Sequence, residues 1–165
     1  MESTDTLPID GLLDRVQAAP ARLGRIRLIS VDGPAGSGKS TLAARLAARA
    51  EARGLSVLVL HMDDLYDGWD GAARGFGLLR DHVLSRLAEG REGRYRRYDW
   101  NLRAYAERHV VPVSMDLLIV EGVTAADRGA ERDAQGVRSD ARSARRGRRC
   151  AWSAGTYSAP RRCRE

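Results

Sequence analysis

The sequence predicts an α/β fold, a mostly parallel β-sheet with helices on both faces. Three apolar runs of strand length lead to this prediction, residues 26–31, 56–61 and 116–121. Helical patterns lie between these runs, and such alternation is typical of a parallel sheet. The chain has 165 residues, which is the length of one domain that can bury most of its apolar surface.

The first half of the chain reads as a helix followed by a strand–loop–helix–strand unit. A short amphipathic helix is predicted over residues 9–19, because Ile9, Leu12, Leu13 and Val16 share one helical face before Pro20. The next elements are a strand at 26–31, a loop of Gly, Pro and Ser at 32–40, a helix at 41–53 and a strand at 56–61. A stretch of this length is typical of a βαβ unit with parallel strands.

The second half reads less regularly. Residues 62–77 are polar and rich in glycine, so we predict a loop at the carboxyl end of the second strand, where ligand sites form. The later elements are predicted as a helix from Leu78 to Gly90, a short strand or extended ribbon at 95–100, a helix at 102–108 and a strand at 116–121.

One segment matches a known phosphate-binding pattern. Residues 33–40, GPAGSGKS, fit G-x-x-x-x-G-K-[ST] and lie after a predicted strand and before a predicted helix. Glycines let backbone N–H groups turn toward a phosphate, Lys39 reaches its oxygens, and the Ser40 hydroxyl is a ligand for Mg²⁺. The predicted nucleotide-binding residues are Gly33, Pro34, Ala35, Gly36, Ser37, Gly38, Lys39, Ser40 and Thr41.

Acidic residues follow the other two predicted strands. Asp63 and Asp64 come directly after the second strand, and Glu121 ends the third. In a parallel sheet these positions share the carboxyl edge with the phosphate-binding loop. One acid can orient Mg²⁺ and another can take the proton from an attacking hydroxyl. Only one of Asp63 and Asp64 can face the site, and a solvated acid in a turn is the alternative for each.

The basic residues are unevenly distributed. The chain has a net charge of +6, and Lys39 is its single lysine. A flexible ammonium suits a phosphate chain where a planar guanidinium does not fit, although biased coding composition is an alternative explanation. Residues 1–123 are neutral, and the whole excess lies in residues 124–165. The basic pI is therefore a poor indicator of a nucleic-acid partner, and none is expected for the patterned domain.

Residues 124–165 lack a pattern that can bury a face. Arg, Ala, Gly and Ser make up 28 of these 42 residues, and Leu, Ile, Met and Phe are absent. Three explanations compete: a disordered basic arm for a polyanion, a divergent lid, or a frame change or truncation. We favour the third, which predicts a sheet that is incomplete at its C-terminal side.

Neither a membrane span nor a metal site built from cysteines and histidines is expected. The longest apolar runs are far shorter than the roughly 20 residues that span a bilayer, and the amino terminus is acidic, so we expect a soluble, cytoplasmic protein. Cys150 and Cys163 show no zinc-type spacing with the three histidines, His61, His82 and His109.

From Leu23 to Val123 the chain resembles the uridine kinase and phosphoribulokinase group of P-loop small-molecule kinases. The resemblance rests on residues 29–41 (ISVDGPAGSGKST), 62–66 (MDDLY), 97–100 (RYDW) and 118–123 (LIVEGV). It implies a P-loop NTPase-type fold, with ATP and Mg²⁺ as cofactors. The phosphoryl acceptor it implies is a small-molecule hydroxyl, with a nucleoside such as uridine as the first candidate.

The resemblance also implies roles for single residues. Asp63 is the implied base, Glu121 a magnesium-site acid beside Ser40, and Tyr66 and Tyr98 substrate-pocket aromatics. Arg103 stands where the family has a histidine, so it is a candidate acceptor contact, with a solvated surface position as the alternative. The family's ribose-binding Asp has no counterpart between Asp70 and Asp81.

Three functions follow from these observations. The first is an ATP-dependent kinase acting on a small-molecule hydroxyl. The second is a nucleotide-binding module without kinase activity, because the family's later strands and lid are not evident after residue 123. The third is a nucleic-acid binder acting through its basic tail.

Overall fold

The computed structural model describes residues 9–68, 71–126 and 135–138, which contain four α-helices and six strands. The helices are α1 (Ile9–Ala18), α2 (Lys39–Ala52), α3 (Ala72–Leu79) and α4 (Ser85–Ala88). A 3₁₀ turn spans Met62–Asp64, and a π-helical turn, Arg80–Leu84, joins α3 to α4. The strands are β1 (Arg27–Asp32), β2 (Val57–His61), β3 (Gly93–Asp99), β4 (Ala104–Val111), β5 (Leu117–Gly122) and β6 (Gln135–Arg138).

The central sheet has four parallel strands in the order β2-β5-β1-β6. The expected parallel sheet is confirmed, but β1 and β2 are not neighbours, because β5 lies between them. At the carboxyl edge Asp32 pairs with Gly122, and His61 pairs with Glu121. This strand order brings the ends of β1, β2 and β5 together.

Both faces of the sheet are covered, as predicted. On one face α1 and α2 pack against Ile29 and Ile119. On the other face α3, the π-helical turn and α4 pack against Leu60 and Leu118. Every residue of β5 is buried, as expected of a central parallel strand, and the two layers together hold the carboxyl edge in place.

The predicted helix over residues 102–108 is wrong. These residues contribute to β4, which pairs antiparallel with β3 as a two-stranded ribbon outside the main sheet. Ala104, Glu107 and Arg108 favour a helix locally, but pairing with β3 overrides that weak preference. The turn between the strands contains Arg103 with a φ of 50°, a left-handed conformation that stops a helix from starting there.

Helix α3 begins at Ala72, six residues earlier than predicted, so the predicted loop at 62–77 is too long. Gly75 and Gly77 lower the helix preference of this segment and led to the error. Gly75 has a packing role, because a Cβ atom there would lie 2.3 Å from Cε1 of Tyr66. The missing side chain lets α3 approach the buried ring.

A stability measurement checks this packing. We expect Gly75→Ala to lower the free energy of unfolding by about 1–3 kcal/mol, because the new methyl group overlaps Tyr66. Gly77→Ala is the matched control in the same helix, since a Cβ there has no neighbour within 4 Å. The control should stabilise the protein by about 0.5–1 kcal/mol. Equal denaturant midpoints for the two variants would contradict this account.

One short strand follows residue 123, although this part of the chain has no apolar run of strand length. Gln135–Arg138 forms β6, parallel to β1. A short strand can add to an open edge through backbone hydrogen bonds without an apolar pattern, which explains why periodicity missed it. Residues 127–134 and 139–165, with Cys150 and Cys163, lie outside the described residues, so the three explanations of the tail stay predictions.

Within the described ranges, no helix combines the length and the apolar character that crossing a membrane requires.

Candidate nucleotide-binding site

The segment 33–40 forms the turn between β1 and α2. Gly36 and Gly38 have φ angles of 75° and 82°, which are strained for residues with a Cβ atom. The Ser37 N–H donates to the carbonyl oxygen of Pro34 over 3.2 Å and closes the turn. Helix α2 begins at Lys39, so its positive N-terminal end points into this loop.

The Lys39 ammonium lies over the same loop. Its Nζ atom donates to the carbonyl oxygen of Pro34 at 3.2 Å. The side chain therefore folds back across the turn instead of extending into solvent. This position places the positive charge beside the backbone N–H groups that a phosphate would use.

A polar cluster connects α2, β2 and β5. Ser40 Oγ donates to Oε1 of Glu121 at 3.1 Å, and His61 Nδ1 lies 2.6 Å from the same oxygen. Glu121 is 5% exposed. The pairing of His61 with Glu121 across adjacent strands brings these two side chains together. The structure thus brings the two predicted magnesium ligands, Ser40 and Glu121, into contact, and His61 lies beside them.

The second carboxylate oxygen of Glu121 has no partner among the described residues. Among the described residues, Oε2 is buried without a hydrogen-bond partner, and such atoms in proteins usually have a bound ion or water. A hydroxyl and a carboxylate are the oxygen ligands that Mg²⁺ prefers. The described part of the chain contains no group of three or more His, Cys, Asp or Glu side chains suited to a metal. Ser40 and Glu121 therefore fit a Mg²⁺ that takes its other ligands from phosphates and water.

The charges in the cluster support one another. Burial pushes the pKa of Glu121 upward, but hydrogen bonds from His61 and Ser40 outweigh burial and lower it. The hydrogen bond to Glu121 raises the pKa of His61. The lowered pKa of Glu121 and the raised pKa of His61 both favour an ionised Glu121 at neutral pH.

The two adjacent aspartates lie in the 3₁₀ turn directly after β2. Asp63 is exposed, and its carbonyl oxygen accepts a hydrogen bond from Trp100 Nε1 at 3.1 Å. Asp64 is half-buried, and burial raises its pKa while the positive charges of His61 and Arg97 oppose the shift. The two side chains therefore lie in different surroundings, and Trp100 fixes the backbone beside Asp63.

The predicted acceptor contacts lie in three different surroundings. Tyr66 is 1% exposed and its hydroxyl donates to the carbonyl oxygen of Val123, so the ring is part of the core rather than a pocket wall. Tyr98 is largely buried and packs edge-on against Trp100, with ring centroids 5.5 Å apart. Arg103 is exposed in the turn of the ribbon, and no contact places it beside Asp63 or Glu121.

Sequence reasoning missed four residues around the loop. His61 and Trp100 contact predicted site residues, as described above. Asp32 accepts a hydrogen bond from the backbone N–H of Thr124 over 3.2 Å, which ties the end of β1 to the segment after β5. Thr124 has a φ of 66°, an uncommon conformation for a β-branched residue. Position at a strand end was the only available signal for Asp32 and His61.

Two solved structures are similar to this chain in their overall fold. A protein described as a possible uridine kinase from Bacillus stearothermophilus is 23% identical, with a TM-score of 0.64, over 80% of this chain and 79% of that protein. A protein described as a candidate fructose transport system kinase from Silicibacter is 22% identical, with a TM-score of 0.60, over 82% and 75%. This chain has the fold of the P-loop kinases. No protein-family profile and no curated protein sequence matches it.

The carboxyl edge of the sheet brings three of the predicted site segments together. The loop 33–40 follows β1, Asp63 lies in the turn directly after β2, and Glu121 lies in β5. In open parallel α/β sheets, ligands bind outside this edge.

Proposed function

We propose that this protein is a kinase that transfers the γ-phosphoryl group of ATP to a hydroxyl of a small molecule, with a nucleoside such as uridine as the first candidate. The observation that carries the proposal is the contact of Ser40, in the phosphate-binding loop, with the buried Glu121. One carboxylate oxygen of Glu121 accepts this hydrogen bond, and the other has no partner among the described residues. A phosphate-binding loop with an adjacent cation site is what phosphoryl transfer from a nucleotide requires.

The chain's own groups would act in three ways. Backbone N–H groups of residues 33–40 bind the triphosphate, and Thr41 extends that loop into α2. Lys39 neutralises charge on the transferred group. Ser40 and Glu121 would hold Mg²⁺, which would reduce the negative charge on the phosphate groups during transfer.

Asp63 is the proposed general base. The acceptor oxygen forms a bond to the γ-phosphorus, the bond from that phosphorus to the β–γ bridging oxygen breaks, and the hydroxyl proton passes to the Asp63 carboxylate. Tyr98, on the β3–β4 ribbon, packs against Trp100, and Trp100 donates a hydrogen bond to the carbonyl oxygen of Asp63. Tyr98 would therefore line the acceptor pocket. Tyr66 would support the pocket from the core, and Arg103 would contact the acceptor from the turn.

The test is an ADP-release screen over nucleosides, sugars and other hydroxyl compounds with ATP and Mg²⁺. The proposal predicts ADP release that depends on one class of acceptor and is lost with EDTA. Binding of ATP and Mg²⁺ without acceptor-dependent ADP release would instead favour the nucleotide-binding module. Salt-sensitive binding of nucleic acid in the same preparation would support the tail-based function.

Replacing Glu121 tests the cation site. Glu121→Gln keeps the shape but removes the charge, so we expect the Mg²⁺ concentration for half-maximal ADP release to rise about 10-fold or more. Glu51→Gln, an exposed acid on α2, is the control and should leave the Mg²⁺ requirement unchanged. An unchanged Mg²⁺ requirement in Glu121→Gln would remove Glu121 from the cation site.

A further inference from the structure

A cavity lies between the β3–β4 ribbon and the helix formed by α3 and the π-helical turn. Its volume is about 440 Å³, within the range of small-molecule pockets. The lining residues are Leu65, Leu78, His82, Arg94, Tyr95, Arg96, Tyr105 and Arg108. None of them belongs to the loop 33–40 or to the Ser40–Glu121–His61 cluster. Tyr105 packs edge-on against Tyr98, with ring centroids 5.4 Å apart, so the cavity adjoins the proposed acceptor pocket without sharing its named residues.

The walls of this cavity combine apolar surface with positive charge. Two leucines and two tyrosines supply the apolar part, and three arginines and a histidine supply groups that bind anions. Among the residues that the structure describes, no Asp or Glu lines the cavity. A pocket of this composition favours a ligand that has an apolar or planar body and a negative head group.

The ribbon places two of these arginines directly opposite each other. Arg96 on β3 pairs with Arg108 on β4. Like charges at directly opposite positions destabilise a β-ribbon. Arg94 lies two residues before Arg96, on the same face of the strand. An anion between Arg96 and Arg108 would turn this repulsion into a favourable interaction.

Acidic side chains among the described residues compensate little of the positive charge of these three arginines. Arg96 donates to the carbonyl oxygens of Ala106 at 3.2 Å and Tyr105 at 2.7 Å, so no carboxylate compensates it. The Arg108 side chain has no hydrogen bond or ion pair within the described part of the chain. Arg94 pairs with Glu92 at 3.3 Å, but both side chains are exposed and such pairs contribute little.

The opposite wall contains an uncommon helical turn. Leu78 precedes the π-helical turn Arg80–Leu84, and His82 lies within it. Short π-helical insertions in α-helices are rare and frequently occur at functional sites, because they shift the direction of the side chains that follow. This turn presents His82 to the cavity opposite the arginines.

We propose that this cavity is a binding site for a small organic anion, a phosphate or carboxylate with an apolar or aromatic body. Arg96 and Arg108 bind the head group as planar guanidinium groups that match its oxygens. Leu65 and Leu78, which also line the cavity, contact the body. The site does not depend on the proposed kinase activity, so its test contains no ATP.

Phenyl phosphate and benzoate are the probes, and NMR titration of the full chain measures binding. For ligands of this size we expect a Kd on the order of 1 mM for the preferred head group. Inorganic phosphate lacks the body and phenol lacks the charge, so each should bind at least about 10-fold more weakly. Comparison of the two probes shows whether the site prefers phosphate or carboxylate.

Variants separate this cavity from the phosphate-binding loop. Arg108→Ala removes a guanidinium without partners among the described residues and should weaken probe binding about 10-fold while raising the melting temperature slightly, since the repulsion from Arg96 disappears. Arg45→Ala, an exposed arginine on α2, is the matched control and should bind normally. Lys39→Ala should also bind normally, because phenyl phosphate held at the loop would need that lysine.

Three results would overturn the proposal. The first is equal probe binding by the wild-type protein and Arg108→Ala. The second is loss of binding in Lys39→Ala, which would assign the probe to the phosphate-binding loop. The third is no binding of either probe by a folded protein. Inactivity in the kinase screen would leave these measurements unchanged, so the two proposals can fail separately.

Discussion

The Lys39→Ala variant is expected to lose acceptor-dependent ADP release by about 100-fold or more. Lys39 begins α2 and folds back over the phosphate-binding loop toward Pro34. Its removal takes away the positive charge nearest to the transferred group, while the glycine turn stays intact. The measurement is kcat for ADP release, with ATP and acceptor at saturation.

Arg45→Ala is the control for Lys39→Ala. Arg45 is exposed on the same helix and lies outside the phosphate-binding loop, so its removal should leave kcat unchanged. Thermal melts of both variants should match the wild type, which would exclude unfolding as the cause. Kinase activity that survives in Lys39→Ala would refute the role assigned to this loop.

Asp63→Asn should lower kcat by about 100-fold to 10,000-fold, the range for loss of a general base. Asp64→Asn is the matched variant at the next position, and we expect a loss below about 10-fold. Asp63 is exposed beside the Trp100 contact, whereas Asp64 is half-buried and its pKa is raised by burial. A raised pKa also means that Asp64 tolerates the neutral Asn more readily.

The ratio of the two kcat values decides which aspartate is the base. A larger loss for Asp64→Asn than for Asp63→Asn would reverse the assignment. Binding of ATP and Mg²⁺, measured separately, should be nearly unchanged in Asp63→Asn, because the proposed role begins after the nucleotide is bound.

The elements that were predicted well are those with a strong local pattern. Apolar runs marked β1, β2 and β5, and the spacing of leucine and alanine marked α2. The segment 102–108 was predicted as a helix because Ala, Glu and Arg favour helices, yet its partner β3 makes it a strand. Four residues of the tail form β6 without any apolar signal. In both cases pairing with another strand outweighed the local preference.

The sequence predicts some residues of the candidate site and misses others, for a similar reason. Ser40 and Glu121 were placed together correctly as neighbours at one edge, and they are hydrogen-bonded. The second partner of Glu121, His61, was missed, because the pairing of β2 with β5 is not visible in either segment alone. Tyr66 was expected in a pocket, but its packing against Gly75 and its bond to Val123 place it in the core.

The sequence by itself determined the phosphate-binding loop, since glycines with positive φ and the following helix are local properties of residues 33–40. The tertiary structure decided what surrounds that loop. Insertion of β5 between β1 and β2 brings Glu121 to Ser40 and His61, and ribbon pairing sets Arg96 opposite Arg108. Strand order and register depend on contacts between residues far apart in the chain, and local periodicity carries no information about them.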